Sequence, residues 1–234
     1  MIKTSLGYIL HFIYGIIPNY GLSIIIFTLI VKFALVPLTI KQMKSTKEMS
    51  NIQPELKKLQ EKYKNDKETL NVKQMELYKE HNINPFAGCL PLLIQMPIII
   101  GLFSVLREPT QYVFMGNTGA YLEAIGQNFL WLTDLSKPDL LGSMIPSLPD
   151  IFDQIPGVLP IASAVLTYFS FSTMNTGQPE NQMTKSMKLF MPLMILMWGR
   201  TFSAGLILYW TVSNAFQLVQ QMLIQGMKSK EIVK

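Results

Sequence analysis

Lys32 is the single charge in the apolar run 20–40, YGLSIIIFTLIVKFALVPLTI. A charge at bilayer depth costs a few kcal/mol or more, so such residues face a bundle interior or a water-filled cavity rather than lipid. Thr28 stands four residues before Lys32 and Thr39 seven after it, so the three share one helical face. Further along, Trp210, Asn214, Gln217 and Gln221 follow at spacings of 4, 3 and 4 and share another. Ser170 and Ser172 close the apolar segment 156–174, and Gln95 lies within the uncharged segment 84–106. These side chains make no set for covalent catalysis. Their chemistry is that of a wet groove, in which one cation attracts an acidic stretch of another chain while amides and hydroxyls shelter polar groups.

Two plainer readings compete with the groove. Lys32 could snorkel toward Lys41, but nine helical residues span ~13 Å, further than a lysine side chain comfortably reaches. Asn214 and the glutamines could be interhelical glue, each worth about 1 kcal/mol. No aspartate or glutamate occurs in any other apolar segment to neutralise Lys32. An unpaired cation favours a hydrated groove over a dry ion pair. Lys32 is nearer the Lys41 end, so the groove is expected to open there.

These residues need helices in a membrane to position them. Hydrophobic residues make up 49% of the 234-residue chain, and charges crowd into some stretches while leaving others almost untouched. The expected fold is an all-α polytopic membrane protein with five transmembrane helices: span 1 at 19–41, span 2 at 84–106, span 3 at 156–174, span 4 at 188–200 and span 5 at 203–225. Span 2 carries Pro91 and Pro97, and the short span 4 carries Pro192. With the prolines, that shortness suits a pliable, locally thinned site. Residues 1–18 place Leu6, Ile9, Leu10, Ile13 and Ile17 at helical spacing, which predicts an interfacial amphipathic helix with Lys3 and His11 toward water.

The segment 42–83 is of another kind. With Lys41 it holds ten lysines interleaved with seven acids. Met49, Ile52, Leu56, Leu59 and Tyr63 are spaced 3, 4, 3 and 4, a narrow coiled-coil seam. Lys64-Asn65-Asp66 supplies a turn, and a second helix over 67–81 has Leu70, Leu77 and Tyr78 apolar. An antiparallel helical hairpin in water is expected. The loop 107–155 has six acids against Arg107 and Lys137. Lys and Arg number ten, two and three in the hairpin, the loop 175–188 and the tail 226–234. They number one, two and one in the N-terminal segment, the loop 107–155 and the turn at Arg200. The positive-inside rule then predicts N-out/C-in, with a cytoplasmic hairpin, a cytoplasmic loop 175–187 and an extracytoplasmic loop 107–155.

Other functions find no motif. There is no GxxxxGK[ST] phosphate loop, the histidines His11 and His81 lack cysteine companions, and the lone Cys89 excludes an intrachain disulfide. No cofactor and no metal site is expected, and no cleavable signal peptide is recognised. The mixed charge predicts only weak, salt-sensitive contact with nucleic acid or anionic lipid, and no DNA partner.

The chain resembles the YidC/Oxa1/Alb3 family of membrane protein insertases over about residues 19–225. The likeness rests on YGLSIIIFTLIVKFALVPLTIKQMKSTKEM (20–49), QPELKKLQEKYKND (53–66), LYKEHNINPFAGCLPLLIQMPIIIGLF (77–103), FLWLTDLSKPD (129–139) and AGLILYWTVSN (204–214). The resemblance implies an insertase and chaperone of a bacterial cell membrane, not an enzyme, which works alone or with the Sec translocon. Its partners would be newly made membrane proteins, with translocon and ribosome as further ones. The family usually carries arginine where this chain has Lys32; lysine keeps the charge and loses the planar multi-donor fork. Thr28 and Trp210 fall at family positions near the substrate path, and Ser170 falls where relatives often carry glutamine. Segment 140–156 looks like an insertion, and the short tail argues against assuming strong ribosome binding. A small transporter or channel is the alternative, opposed by the absence of an inverted repeat. A scaffold docking partners through hairpin and tail is compatible with the first reading.

Overall fold

A computed structural model describes residues 2–84, 90–144, 149–173 and 182–232. Eleven α-helices are found among them: α1 Ile2–Ile16, α2 Tyr20–Asn51, α3 Gln53–Lys62, α4 Lys67–Glu80, α5 Leu90–Arg107, α6 Pro109–Tyr112, α7 Thr118–Ile125, α8 Leu141–Met144, α9 Val158–Thr173, α10 Gln182–Gly199 and α11 Ala204–Ile232. A 3-10 turn covers Asp150–Gln154. Among the described residues there are no strands, only two isolated bridges, Phe129 with Leu132 and Leu140 with Pro156. The chain divides into two compact units, one of Met1–Ala34, Pro97–Thr173 and Lys188–Lys234, the other of Leu35–Met96 and Met174–Met187.

The core of the first unit lies where the helices meet the segment 107–157. Leu10 and Ile13 of α1, Tyr20, Ile24 and Phe27 of α2, Leu102, Val105 and Leu106 of α5, and Leu206 to Tyr209 of α11 are buried there. Segment 107–155, expected as a loop, is folded into this core through Val113, Phe114, Ala124, Phe129, Leu132 and Leu135. Tyr14, Tyr20, Phe114 and Tyr121 stack edge-on or tilted around one another. Gly7 of α1 lets that helix lie against the Tyr112 backbone, where a Cβ would collide with the carbonyl.

Outside this core the unit is apolar. Phe12 of α1, Phe33 of α2, Phe169 of α9, and Leu189, Leu193 and Met197 of α10 are each at least half exposed. A soluble monomer rarely carries that much contiguous apolar surface. Helix α1 departs from its expected pattern: Ile9, with Tyr8, Phe12 and Ile16, is on an exposed apolar face, while Leu10 and Ile13 are buried. His11 and Lys3 are exposed, as expected.

Helix ends differ from expectation in physically simple ways. Helix α2 runs unbroken through Lys41 to Asn51, because lysine propagates a helix well and nothing before Ile52 breaks it. The expected boundary at 41/42 is therefore not a helix end. Pro54, at the start of α3, opens the next helix, where its missing N–H has no intrahelical role. Helix α10 starts at Gln182, so it has 18 residues, ~27 Å. It is not short as a helix; only its apolar portion from Lys188 is. Helix α11 continues through Ile232 into the expected tail. By length and composition, among the described residues, α2 alone is long and apolar enough to cross a membrane.

The second unit contains the hairpin α3–α4. Met49, Ile52, Leu56 and Leu77 are buried together, with Leu59, Tyr78 and Ile83 packed on them. Tyr63 instead closes α3, with the Lys62 ammonium 5.3 Å from its ring centre. Asp66 caps α4. It accepts from the Thr69 hydroxyl at 2.6 Å and the Thr69 N–H at 3.0 Å. The hydroxyl bond, then the N–H bond, hold its carboxyl below the usual carboxylate range. Such a cap is in place above the ordinary carboxylate pKa and is lost as pH falls through the lowered one. The protection of the Thr69 amide, taken relative to the intrinsic exchange rate at each pH, should accordingly fall at acid pH in the wild type and be low throughout in Asp66→Ala. Leu56 is 1% exposed. Leu56→Ala should cost the hairpin about 2 kcal/mol or more, read as lost amide protection in α3 and α4, whereas Lys73→Ala, which removes the exposed 2.6 Å pair with Glu76, should leave protection unchanged.

Candidate functional site

Helix α2 is close-packed on one face as far as Thr28. Tyr20, Ser23, Ile24, Phe27 and Thr28 are buried, and Thr28 is fully so. One turn further the same face loosens: Val31 and Lys32 are only half-buried. Helix α11 changes in the same way. Residues 204–209 are all buried, whereas Trp210, Asn214 and Gln217 are half-buried, with Ser213 and Gln221 buried between and beyond them. Phe33 and Phe216 meet edge-on at 5.0 Å, which puts Lys32 and Gln217 at one level of the bundle. The interior is sealed at the end near segment 107–157 and loosens at the level of Lys32.

Thr28 does not offer its proton to that space. Its hydroxyl donates to the Ile24 carbonyl at 2.6 Å, a back-bond that a threonine within a helix commonly makes. Lys32 forms no ion pair among the described residues. Trp210 packs edge-on against Trp198 of α10 at 6.5 Å. Gln95 lies on α5, and its side chain is outside the described residues.

The other candidates meet in a seam between α9 and α11. Ser163, Thr167, Ser170 and Thr173 of α9 follow at spacings of 4, 3 and 3. The Asn214 amide donates to the Thr167 hydroxyl at 2.7 Å. One turn or two further, the Thr173 hydroxyl donates to the Gln221 side-chain amide oxygen, Oε1, at 2.7 Å. For Asn214 and Gln221 the glue reading therefore describes the contacts they make. Ser170 is buried between these two bonds, and its hydroxyl has no partner among the described residues, nor has that of Ser163. Ser172 is exposed and lies off the seam. Thr167 and Thr173 were missed as candidates. Their spacing from Ser170 was the available signal.

Both helices of the seam start from one loop. The Ala204 N–H donates to the Lys137 carbonyl at 2.7 Å and the Gly205 N–H to the Leu135 carbonyl at 2.9 Å. Those bonds occupy two of the first N–H groups of α11, which have no intrahelical partner. The Asp139 carboxylate accepts from the Leu159 N–H, at the start of α9, at 2.7 Å. Phe129, at the other end of the FLWLTDLSKPD stretch, fills the space beside Gly21 of α2, where a Cβ would meet its ring. Thus residues 129–139 touch the beginnings of three helices.

The family model described as 60Kd inner membrane protein matches residues 12–231. The chain belongs to this family, that of YidC and Oxa1. A protein named membrane protein insertase YidC from Fusobacterium nucleatum is 36% identical over 224 residues, 96% of this chain and 95% of that one. Its namesake from Clostridium acetobutylicum is 42% identical over 220 residues, 91% of this chain and 78% of that one. A crystal structure described as an active YidC insertase with the first transmembrane domain resolved is similar with a TM-score of 0.62 at 28% identity. It covers 89% of this chain, which spans 42% of that one. The resemblance carried by the five sequence stretches is thereby confirmed, and the insertase family places the chain in a bacterial membrane.

The Thr167–Asn214 bond should hold α9 to α11 with a coupling of about 1 kcal/mol. A double-mutant cycle of Thr167→Val and Asn214→Ala, read by unfolding in detergent, measures it. Coupling near zero would mean that the bond is not formed in the membrane protein.

Proposed function

We propose that this chain is a membrane protein insertase with five spans, N-out/C-in, whose interior forms a hydrophilic groove open toward the cytoplasm. α2, α5, α9, α10 and α11 would be the spans, α1 the interfacial helix and α3–α4 the cytoplasmic hairpin. Lys32 would be the groove's charge, with Thr28, Trp210, Ser170, Asn214, Gln217 and Gln95 along its walls. The observation that carries this reading is the loss of close packing on α2 and α11 at the level of Lys32, an ammonium without an ion-pair partner among the described residues. The exposed apolar surface of α9 and α10 supports immersion in lipid, and the insertase relatives support the activity.

The mechanism follows from physical chemistry. A substrate segment with acidic residues is drawn to Lys32 by charge, and its polar groups remain hydrated in the groove while its apolar span moves into lipid. Burial of about 20 apolar residues in the bilayer drives the step, so no nucleotide is required. The apolar stretch Lys188–Gly199 of α10 is shorter than a full span and carries Pro192. A short wall segment of this kind would thin the bilayer locally and shorten the polar path. The Sec translocon and the ribosome would be additional partners, through the charged hairpin and tail.

Reconstitution tests this reading. Purified protein in liposomes is offered a single-span substrate with an acidic N-terminal tail, and insertion is read by protease protection. Lys32→Ala should lower insertion about tenfold, equivalent to about 1.4 kcal/mol, and Lys32→Arg should hold it. Insertion indifferent to Lys32 would remove the electrostatic step. No insertion above empty liposomes, with ion flux instead, would replace the insertase by a channel.

A further inference from the structure

The FLWLTDLSKPD stretch has no part in the groove, yet its last residue is among the most buried in the chain. Asp139 is 1% exposed, and the Leu159 N–H donates to its Oδ2 at 2.7 Å. Oδ1 has no hydrogen-bond partner among the described residues. A lone carboxylate buried this deeply needs a reason.

Gly157 supplies it. Helix α9 begins at Val158, so Gly157 occupies the position whose side chain ordinarily accepts from the first free N–H groups of the helix. Glycine has no side chain to do so. A Cβ on Gly157 would land on the carboxyl group of Asp139, the three nearest atoms being its Oδ1, Cγ and Oδ2. The carboxylate stands in the space where a local cap would be. The backbones are tied as well. The Gly157 N–H donates to the Asp139 carbonyl at 2.8 Å and the Leu141 N–H to the Ile155 carbonyl at 3.0 Å. Leu140 and Pro156 form a bridge between them. Segment 140–156, expected as an insertion, is thus closed at its neck. Two and four residues earlier in the same loop, the Lys137 and Leu135 carbonyls hold the start of α11.

We propose that Asp139 is a positioning residue for insertion. Its carboxylate caps α9 from outside the helix and, through the loop it shares with the caps of α11, sets the register of the α9–α11 seam. The effect on insertion rests on the insertase reading given above; the effect on register does not.

The pair Asp139 and Gly157 allows a reciprocal test. Register is read in a Cys89→Ser background carrying Thr173→Cys and Gln221→Cys, bridged by a short thiol cross-linker at the far end of the seam. Insertion is read separately, in liposomes, in chains that keep Thr173 and Gln221. Asp139→Ala should reduce both readouts about fivefold, the order expected for losing one helix cap. Gly157→Ser alone should reduce them too, by displacing the carboxylate. The double variant Asp139→Ala/Gly157→Ser should recover both, because a serine at the cap position accepts the same Leu159 N–H in the vacated space. Asp139→Asn, which keeps an acceptor oxygen, should stay near wild type in both. A double variant no better than the worse single one, or Asp139→Asn as defective as Asp139→Ala, overturns the proposal. If wild type fails to insert, the insertase reading falls while the cross-linking still decides the cap.

Discussion

An ammonium on an apolar helix is stable only where something other than lipid surrounds it, and on α2 that condition governs what the neighbouring helices present. No carboxylate in the apolar segments can answer Lys32. Compensation then has to come from water and from neutral hydrogen-bonding groups, and water requires looser packing. On the groove proposal, the close-packed face of α2 from Tyr20 to Thr28 and the half-buried Val31 and Lys32 are two consequences of the same demand. In the proposed reading, the sealed end prevents leakage and the loosened end admits substrate. A fully dry core would expel the charge, and an open channel would not hold the helices.

Loosening one end of a bundle places more weight on the other. Along the polar seam of α9 and α11, side-chain hydrogen bonds join Thr167 with Asn214 and Thr173 with Gln221. Each is worth little inside a membrane, because competing partners are available when it breaks. Geometry must be set elsewhere. Segment 129–139 does this with backbone carbonyls at the start of α11, a carboxylate at the start of α9 and the Phe129 ring against Gly21 of α2. The seam follows from the helix starts, and the polar interior lies along the same helices.

Much of this was legible in the residues, in proportion to how local the cause was. The 3-4 spacing of Met49, Ile52 and Leu56 predicted the hairpin core, and Leu77 and Tyr78 joined it as expected. The five family stretches were specific enough to name the family. What escaped had non-local or negative causes. Helix α2 passes Lys41 because a change of polarity does not end a helix; the proline that reorganises the chain comes at 54. Segment 107–155 read as a loop because its helices α6, α7 and α8 have eight residues or fewer, too few for a periodic signal. The Asp139 cap spans 20 residues and depends on a side chain that Gly157 lacks. The amides of α11 were seen as a stripe, but the partner of Asn214 was not, since Thr167 is unremarkable in an apolar segment until a neighbouring helix is placed beside it.

The central claim is that water reaches Lys32 from one side of the membrane. It is tested most directly by replacing the lone cysteine (Cys89→Ser) and installing Lys32→Cys, with Ile30→Cys as the comparison, since Ile30 is 49% exposed on the apolar surface. A membrane-impermeant maleimide is then applied from either side of oriented vesicles. The account predicts labelling at position 32 from the cytoplasmic side only, and none at position 30 from either side. Position 32 silent from both sides, or labelled no faster than position 30, would contradict it.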